Sequence, residues 1–270
     1  MKVHLFLFSL FNMVSFMQTV RIFSNPITKR QYIVKNKDGN SYYIKDSMSF
    51  LKENENIQNK PLITISPAGF YGFYTMGVCA YVKDYFNTSN YIYSGASAGA
   101  WNSLFMTFNK HSPSLVMTLI QNDLYKGKTI RQVETAIKER ILNNYDASDF
   151  DLERLFIGVT TFGQTNIYTD FNNLEDAIDC CIASSHIPFI SGGAMNKYKN
   201  IYTFDGGFSN NPYLNVKKPI LHINPAIWSN EKNKLDCSIF FSGRFDFEKL
   251  FELGYEDSRS NLKILNSTLL

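Results

Sequence analysis

From residue 61 onward, short apolar runs alternate with longer stretches of helical spacing. Residues 61–66, PLITIS, read as a buried strand, residues 72–86 as a helix with apolar positions at Met76, Ala80 and Val82, and residues 91–95, YIYSG, as a second strand. Such a succession implies parallel strands in a sheet covered by helices. A further helix is predicted from Ala98 to Phe108. Ser112-Pro113 then places an N-cap and a first-turn proline before another. Thr129 and Gln132 have capping-box spacing ahead of Ile130, Val133, Ile137 and Ile141, which share one helical face.

Later in the chain, strands are predicted at 155–162, 200–204, 219–223 and 237–241, a helix at 174–185 stopped by Pro188, and a last amphipathic helix from Asp246. Upstream, residues 31–45 alternate on either side of Asp38-Gly39, the pattern of a hairpin. The chain divides into an apolar N-terminal segment, 1–24, an extension with a hairpin, 25–60, and an α/β layered domain, 61–270. The first segment, which opens MKVHLFLFSLFNMVSFM, is short for a membrane span but long enough for a signal-peptide core. A cleaved signal, an interfacial anchor and an ordinary packing segment all remain open.

Composition narrows the function classes. With 44% hydrophobic and 19% charged residues over 270 positions, the chain can bury a substantial core. A net charge of +3, without zinc-finger spacing or an arginine-rich run, gives no sign of a nucleic-acid partner. Charge is uneven, however: Lys2, Arg21, Lys29, Arg30, Lys35 and Lys37 all precede the first acid, Asp38. This apolar, basic start favours a membrane-associated or secreted protein and leaves a cytoplasmic one open. Cys79, Cys180, Cys181 and Cys237 form no CxxC and read as buried small hydrophobes.

Three motifs carry chemistry. Gly95-Ala96-Ser97-Ala98-Gly99 fits G-x-S-x-G between a strand and a helix, where glycines on both sides of a strained serine let helix and strand approach. The hydroxyl of Ser97 is then exposed at a helix N-terminus, which favours developing negative charge. A nucleophilic serine needs a base. Asp205 is the candidate, predicted at the end of a strand and followed by Gly206-Gly207, which allow close backbone approach; an Asp-Gly turn is the plainer reading of the same residues. The third motif leaves the first strand through Pro67 and enters a helix across Gly69 and Gly72. Backbone amides of Ala68, Gly69 and Phe70, helped by that of Ala98, are candidate oxyanion donors, whereas Pro67 has no N–H.

In this order, PAGFYG (67–72), GASAG (95–99) and DGG (205–207) resemble the patatin-like phospholipases, including the adiponutrin-like branch. CIASSHIPFISGG (181–193) is similar to the segment before that family's aspartate, and FELGYEDS (251–258) to a late helix. The resemblance spans about residues 61 to 260. It implies a three-layer α/β fold with a mainly parallel central sheet flanked by helices. It further implies a lipid acyl hydrolase with Ser97 as nucleophile and Asp205 as base, no metal or cofactor, and a phospholipid or acylglycerol substrate at a membrane or lipid-droplet surface. Pro67 departs from the family, many members having glycine there. His186 falls in the pre-aspartate segment and reads as a local hydrogen-bonding residue.

Other readings compete. Ser97, Asp205 and His222 occur in the chain order of an α/β-hydrolase triad, although His222 lies in strand-like PILHI, where a satisfied core histidine is the simpler reading. A lipid-binding protein that keeps the fold without turnover is the non-enzymatic alternative. Acyl transfer would use the same covalent intermediate.

Overall fold

The computed structural model describes residues 32–35, 41–43, 57, 59–110, 112–121, 128–162, 164–215, 217–228 and 246–269. The apolar segment 1–24, the Asp38-Gly39 turn, Cys237 and the strand expected at 237–241 lie outside the described residues. The chain runs β1 (Tyr32–Lys35), β2 (Ser41–Tyr43), β3 (Leu62–Ile65), α1 (Gly72–Tyr85), β4 (Ile92–Gly95), α2 (Ala98–Met106), α3 (Ser112–Leu119) and α4 (Ile130–Asn144). It continues through β5 (Leu155–Thr161), β6 (Gln164–Tyr168), α5 (Leu174–Ser184), β7 (Asn196–Tyr198), β8 (Ile201–Thr203), β9 (Leu221–Ile223), α6 (Phe247–Ser260) and α7 (Leu262–Leu269).

Seven strands form one mixed sheet in the order β2-β1-β6-β5-β4-β3-β9, mainly parallel and flanked by helices. Strands β9, β3, β4 and β5 run parallel, β6 turns back against β5, β1 runs parallel to β6, and β2 pairs antiparallel with β1 as the hairpin reading requires. Alternation within the strands builds two apolar layers. Ile63, Ile65, Tyr93, Leu155, Ile157, Val159 and Ile223 join the main core with residues of α1, α2 and α5. The intervening Leu62, Ile92, Phe156 and Ile167 form a smaller cluster with Ile57 and Leu214.

Local chemistry sets several boundaries. The Thr129 side chain accepts from the Gln132 amide and the Gln132 side chain from the Thr129 amide, the full capping box. Asn173 and Asp246 cap α5 and α6. Ser112 is itself the first residue of α3 rather than its cap, with Pro113 following in the first turn. Helix α6 lies close on α1 because Gly77 and Gly254 face backbone: a Cβ on Gly77 would run into the carbonyl of Phe251, and one on Gly254 into that of Tyr74. Tyr74 then donates to Asp257 at 2.7 Å. Cys79, Cys180 and Cys181 are free and fully buried among apolar neighbours.

The strand expected at 200–204 is present as β8. Residues 201–203 belong to a separate antiparallel ladder with β7, tied to the main sheet by the bridge between Phe204 and Thr160. The turn joining β7 to β8 holds Lys199 at φ 46° and Asn200 at φ 62°, the two left-handed residues of a type I′ hairpin.

Candidate active site

Register explains where the site forms. Ile65 of β3 lies beside Gly95 of β4, and Gly95 beside Ile157 of β5, so the chain leaves β3 and β4 at one edge of the sheet. That edge holds Ser66–Phe70 next to Ala96–Ala98. Gly99 closes the packing: a Cβ there would strike the carbonyl of Ile65 and stand 2.7 Å from that of Ser66. A Cβ on Gly95 would strike the Gly99 carbonyl, and one on Gly72 would lie 2.6 Å from the Ala98 Cβ. All three glycines are therefore required by close approach, as the G-x-S-x-G and G-x-x-G spacings suggest.

Ser97 sits at the turn with φ 55° and ψ −129°, a backbone conformation that L-residues adopt only at a cost of about 1–3 kcal/mol. Its Oγ donates to Oδ2 of Asp205 at 2.7 Å. The other carboxylate oxygen, Oδ1, accepts from the Gly207 amide at 2.6 Å. Both readings of the Asp-Gly sequence thus hold at once: one oxygen makes the turn and the other faces the serine. The aspartate is delivered from the small β7–β8 ladder rather than from a main-sheet strand, and Gly206 permits this because its Cβ would meet the Gly158 carbonyl and stand 2.6 Å from the Ala96 Cβ. Ser97 and Asp205 are 7% and 5% exposed.

Burial pushes the Asp205 carboxyl up to about 6, against the opposing pull of the Ser97 and Gly207 hydrogen bonds. A second carboxyl, Glu134 of α4, is buried nearby. Desolvation raises it to about 8, Arg131 acting against this and the charge of Asp205 adding to it. At neutral pH Glu134 is therefore protonated while Asp205 is mostly ionised.

Sequence reasoning missed Ser184. Its Oγ accepts from the Ser97 amide at 2.7 Å and donates to the Gly158 carbonyl at 2.7 Å, pinning the elbow to α5 and β5. Its only signal was position, at the small-residue end of α5 within CIASSHIPFISGG. Ser184→Ala would leave two buried backbone groups unpaired and is expected to lower stability by about 2 kcal/mol or more, read by chemical denaturation. Asn102 similarly ties α2 to the start of α1, donating to the Gly72 carbonyl at 2.9 Å and to Thr75 at 2.8 Å.

The amides of Ser97, Gly99 and Ala100 are engaged by Ser184, Ala96 and Ser97. Those of Gly69 and Ala98 have no protein acceptor among the described residues. Gly69 takes φ 53°, a left-handed bend that turns Ala68–Phe70 from β3 toward α1. Pro67 packs next to Gly207, whose Cβ position is 3.1 Å from the proline Cβ, so this loop and the Asp205 turn adjoin.

Neither histidine joins the pair. His222, on β9, shares a 2.8 Å hydrogen bond with Thr64 and stacks edge-on against Tyr213. It is satisfied, but on a solvent-facing position rather than in the core. His186 is 2% exposed, and its main chain does the bonding: its carbonyl accepts from the Asp205 amide at 2.7 Å. No group meets hydrogen-bond geometry at its ring nitrogens among the described residues, although the Gly193 and Ala194 backbone is near enough to favour the charged ring. Burial and Arg131 outweigh this and lower the imidazole pKa from its ordinary value. Among the described residues no cluster of His, Cys, Asp or Glu suits a metal ion.

No family model matches the chain, and neither does any curated protein. Among solved structures, VipD from Legionella pneumophila is similar at TM-score 0.36 and 12% sequence identity. The similarity covers 71% of this chain and 52% of that one, so the chain spans about half the length of VipD.

Proposed function

We infer that the chain is a serine carboxylic ester hydrolase acting on lipids, a patatin-like phospholipase A or acylglycerol lipase. The observation that carries this reading is the 2.7 Å hydrogen bond from Ser97 Oγ to Asp205 Oδ2 at a strained strand-to-helix turn. The PAGFYG, GASAG and DGG motifs, met in that order, support the lipid ester as substrate.

In the reaction, Asp205 takes the hydroxyl proton as Ser97 Oγ attacks the ester carbonyl. The carbonyl oxygen becomes an oxyanion, stabilised by the amides of Ala98 and of the Ala68–Phe70 loop and by the positive end of α2. Collapse of the tetrahedral intermediate breaks the ester C–O bond, and Asp205 returns the proton to the departing alcohol or lysolipid. Water then gives a proton to Asp205 and attacks the acyl-serine, releasing fatty acid and restoring the hydroxyl. Burial makes Asp205 a stronger base than an exposed carboxylate, and Ser184 holds the serine backbone against rotation during both attacks.

The pH dependence tests this assignment. The base must be ionised, and burial raises its pKa to about 6, so kcat/KM for a soluble ester is expected to climb with pH through about 6 and level off above it. A rate that falls as pH rises through this range would contradict the assignment. His222→Ala is expected to keep both the rate and the profile. Loss of activity in that variant would restore the Ser97–Asp205–His222 triad.

A further inference from the structure

Two chain segments that adjoin the site are apolar and short of acids. Residues 186–204 contain two lysines, Lys197 and Lys199, and no Asp or Glu, and residues 155–168 carry no charge. Within these segments four large apolar side chains stand in water: Phe189 at 80%, Phe162 at 71%, Met195 at 50% and Tyr202 at 40% exposure.

Strand geometry collects most of them on one surface. Thr203 of β8 is buried, so Tyr202 and Phe204 project the other way. The Phe204 ring meets that of Phe162 at 5.0 Å between centroids. Across the ladder, Lys197 pairs in register with Tyr202, and its Nζ lies 4.8 Å from that ring. Met195, half exposed, immediately precedes β7. Phe189 stands on the adjoining loop at φ 64°, a left-handed backbone that a bulky residue rarely adopts. Phe204 directly precedes Asp205, and the Asp205 amide bonds the carbonyl of His186, at the base of that loop. The patch and the site thus share both chain segments.

Charge complements the apolar surface. Arg131, Lys197 and Lys199 line one polar depression beside Tyr198. Its acids are already paired, Asp176 with Lys199 at 3.0 Å and Asp179 with Lys138 at 2.7 Å. Arg131 and Lys197 have no ion-pair partner among the described residues, which leaves a positive surplus next to the aromatic patch. Exposed rings flanked by cations suit the boundary between acyl chains and anionic headgroups.

We propose that the β7–β8 hairpin, the 187–195 loop and the end of β5 form the face by which the protein lies on an anionic phospholipid membrane. Phe162, Phe189 and Met195 enter the interface, and Lys197 and Arg131 meet lipid phosphates. The proposal rests on the lipid-hydrolase reading, since the segments that form this face run directly into Asp205 and would bring the pair to the substrate's own surface.

The test separates binding from turnover. Full-length protein carrying Ser97→Ala is co-sedimented with phosphatidylcholine vesicles with and without phosphatidylserine, and Phe162→Ser, Phe189→Ser and Lys197→Glu are added singly. Each phenylalanine substitution is expected to weaken binding about tenfold, and the lysine change about fivefold or more on the anionic vesicles. In the otherwise native chain, Phe162→Ser and Phe189→Ser are expected to leave hydrolysis of a soluble short-chain ester unchanged. Vesicle binding that ignores all three substitutions would overturn the proposal. So would failure of the protein to bind vesicles, whether because another copy or the apolar residues 1–24 cover the patch. If the soluble ester is not hydrolysed, the hydrolase reading fails while the sedimentation result still decides the membrane face.

Discussion

Asp205→Asn is expected to lower ester turnover by about 10³-fold and, at pH 7, to raise the stability of the fold. The loss follows because an amide cannot accept the Ser97 proton, and general-base catalysis contributes on the order of 10²–10⁴. The gain follows from linkage. Burial lifts the carboxyl from 3.8 to about 6, so the folded protein holds this proton more tightly than the unfolded chain does. Asp205 therefore favours folding below about pH 4, and that contribution is lost as pH rises through about 6, on the order of 2–3 kcal/mol in all. Asparagine removes the cost of a buried charge and its Oδ1 still accepts from the Gly207 amide, but its NH₂ replaces the acceptor that faces Ser97 Oγ, so the net gain is about 1 kcal/mol. Kinetics and thermal melts of the same variant check both halves. A group that weakens the fold while driving turnover is kept for chemistry; a purely structural aspartate would lose stability on substitution.

Gly99→Val is expected to cost about 3 kcal/mol or more and to inactivate what remains folded. The added atoms meet rigid backbone, the carbonyls of Ile65 and Ser66, rather than the tip of a flexible side chain. Neither β3 nor α2 can yield alone: Ile63 and Ile65 are fully buried, and Asn102 ties α2 to α1. Any relief must separate the elbow from the Ala68–Phe70 loop. Urea denaturation measures the first effect and ester turnover of the soluble fraction the second.

What could be read from the residues divides along physical lines. The glycines around Ser97 and Asp205 announce themselves because close backbone approach admits no other residue, and the capping box at Thr129 is a contiguous signal. Ser184 was illegible because its role arises only when α5, β4 and β5 meet, and a small polar residue at a helix end has many local uses. Strand β6 was hidden for a different reason: Thr165, Asn166, Ile167 and Tyr168 are all buried, so no apolar and polar alternation marks it. Thr165 bonds Ser209 at 2.6 Å and Asn166 donates to Thr161 at 3.3 Å, while Asn166 Oδ1 and the Tyr168 hydroxyl meet no partner in hydrogen-bond geometry among the described residues. The type I′ turn at Lys199-Asn200 carries no glycine, and without that signal β7 and its hairpin with the strand expected at 200–204 went unseen. Glu134 stands between Val133 and Thr135 with no motif to mark it, and only the fold brings it within electrostatic reach of Asp205.

The central claim is that Ser97 Oγ, activated by Asp205, carries the acyl group. The most direct measurement treats the native protein and Ser97→Ala with an alkyl fluorophosphonate and maps the adduct by peptide mass spectrometry. The expected result is one phosphonyl group per chain on the peptide containing Ser97, none in Ser97→Ala, and labelling that slows sharply in Asp205→Asn. Ester turnover without label at Ser97, or label that persists in Ser97→Ala, would contradict the claim.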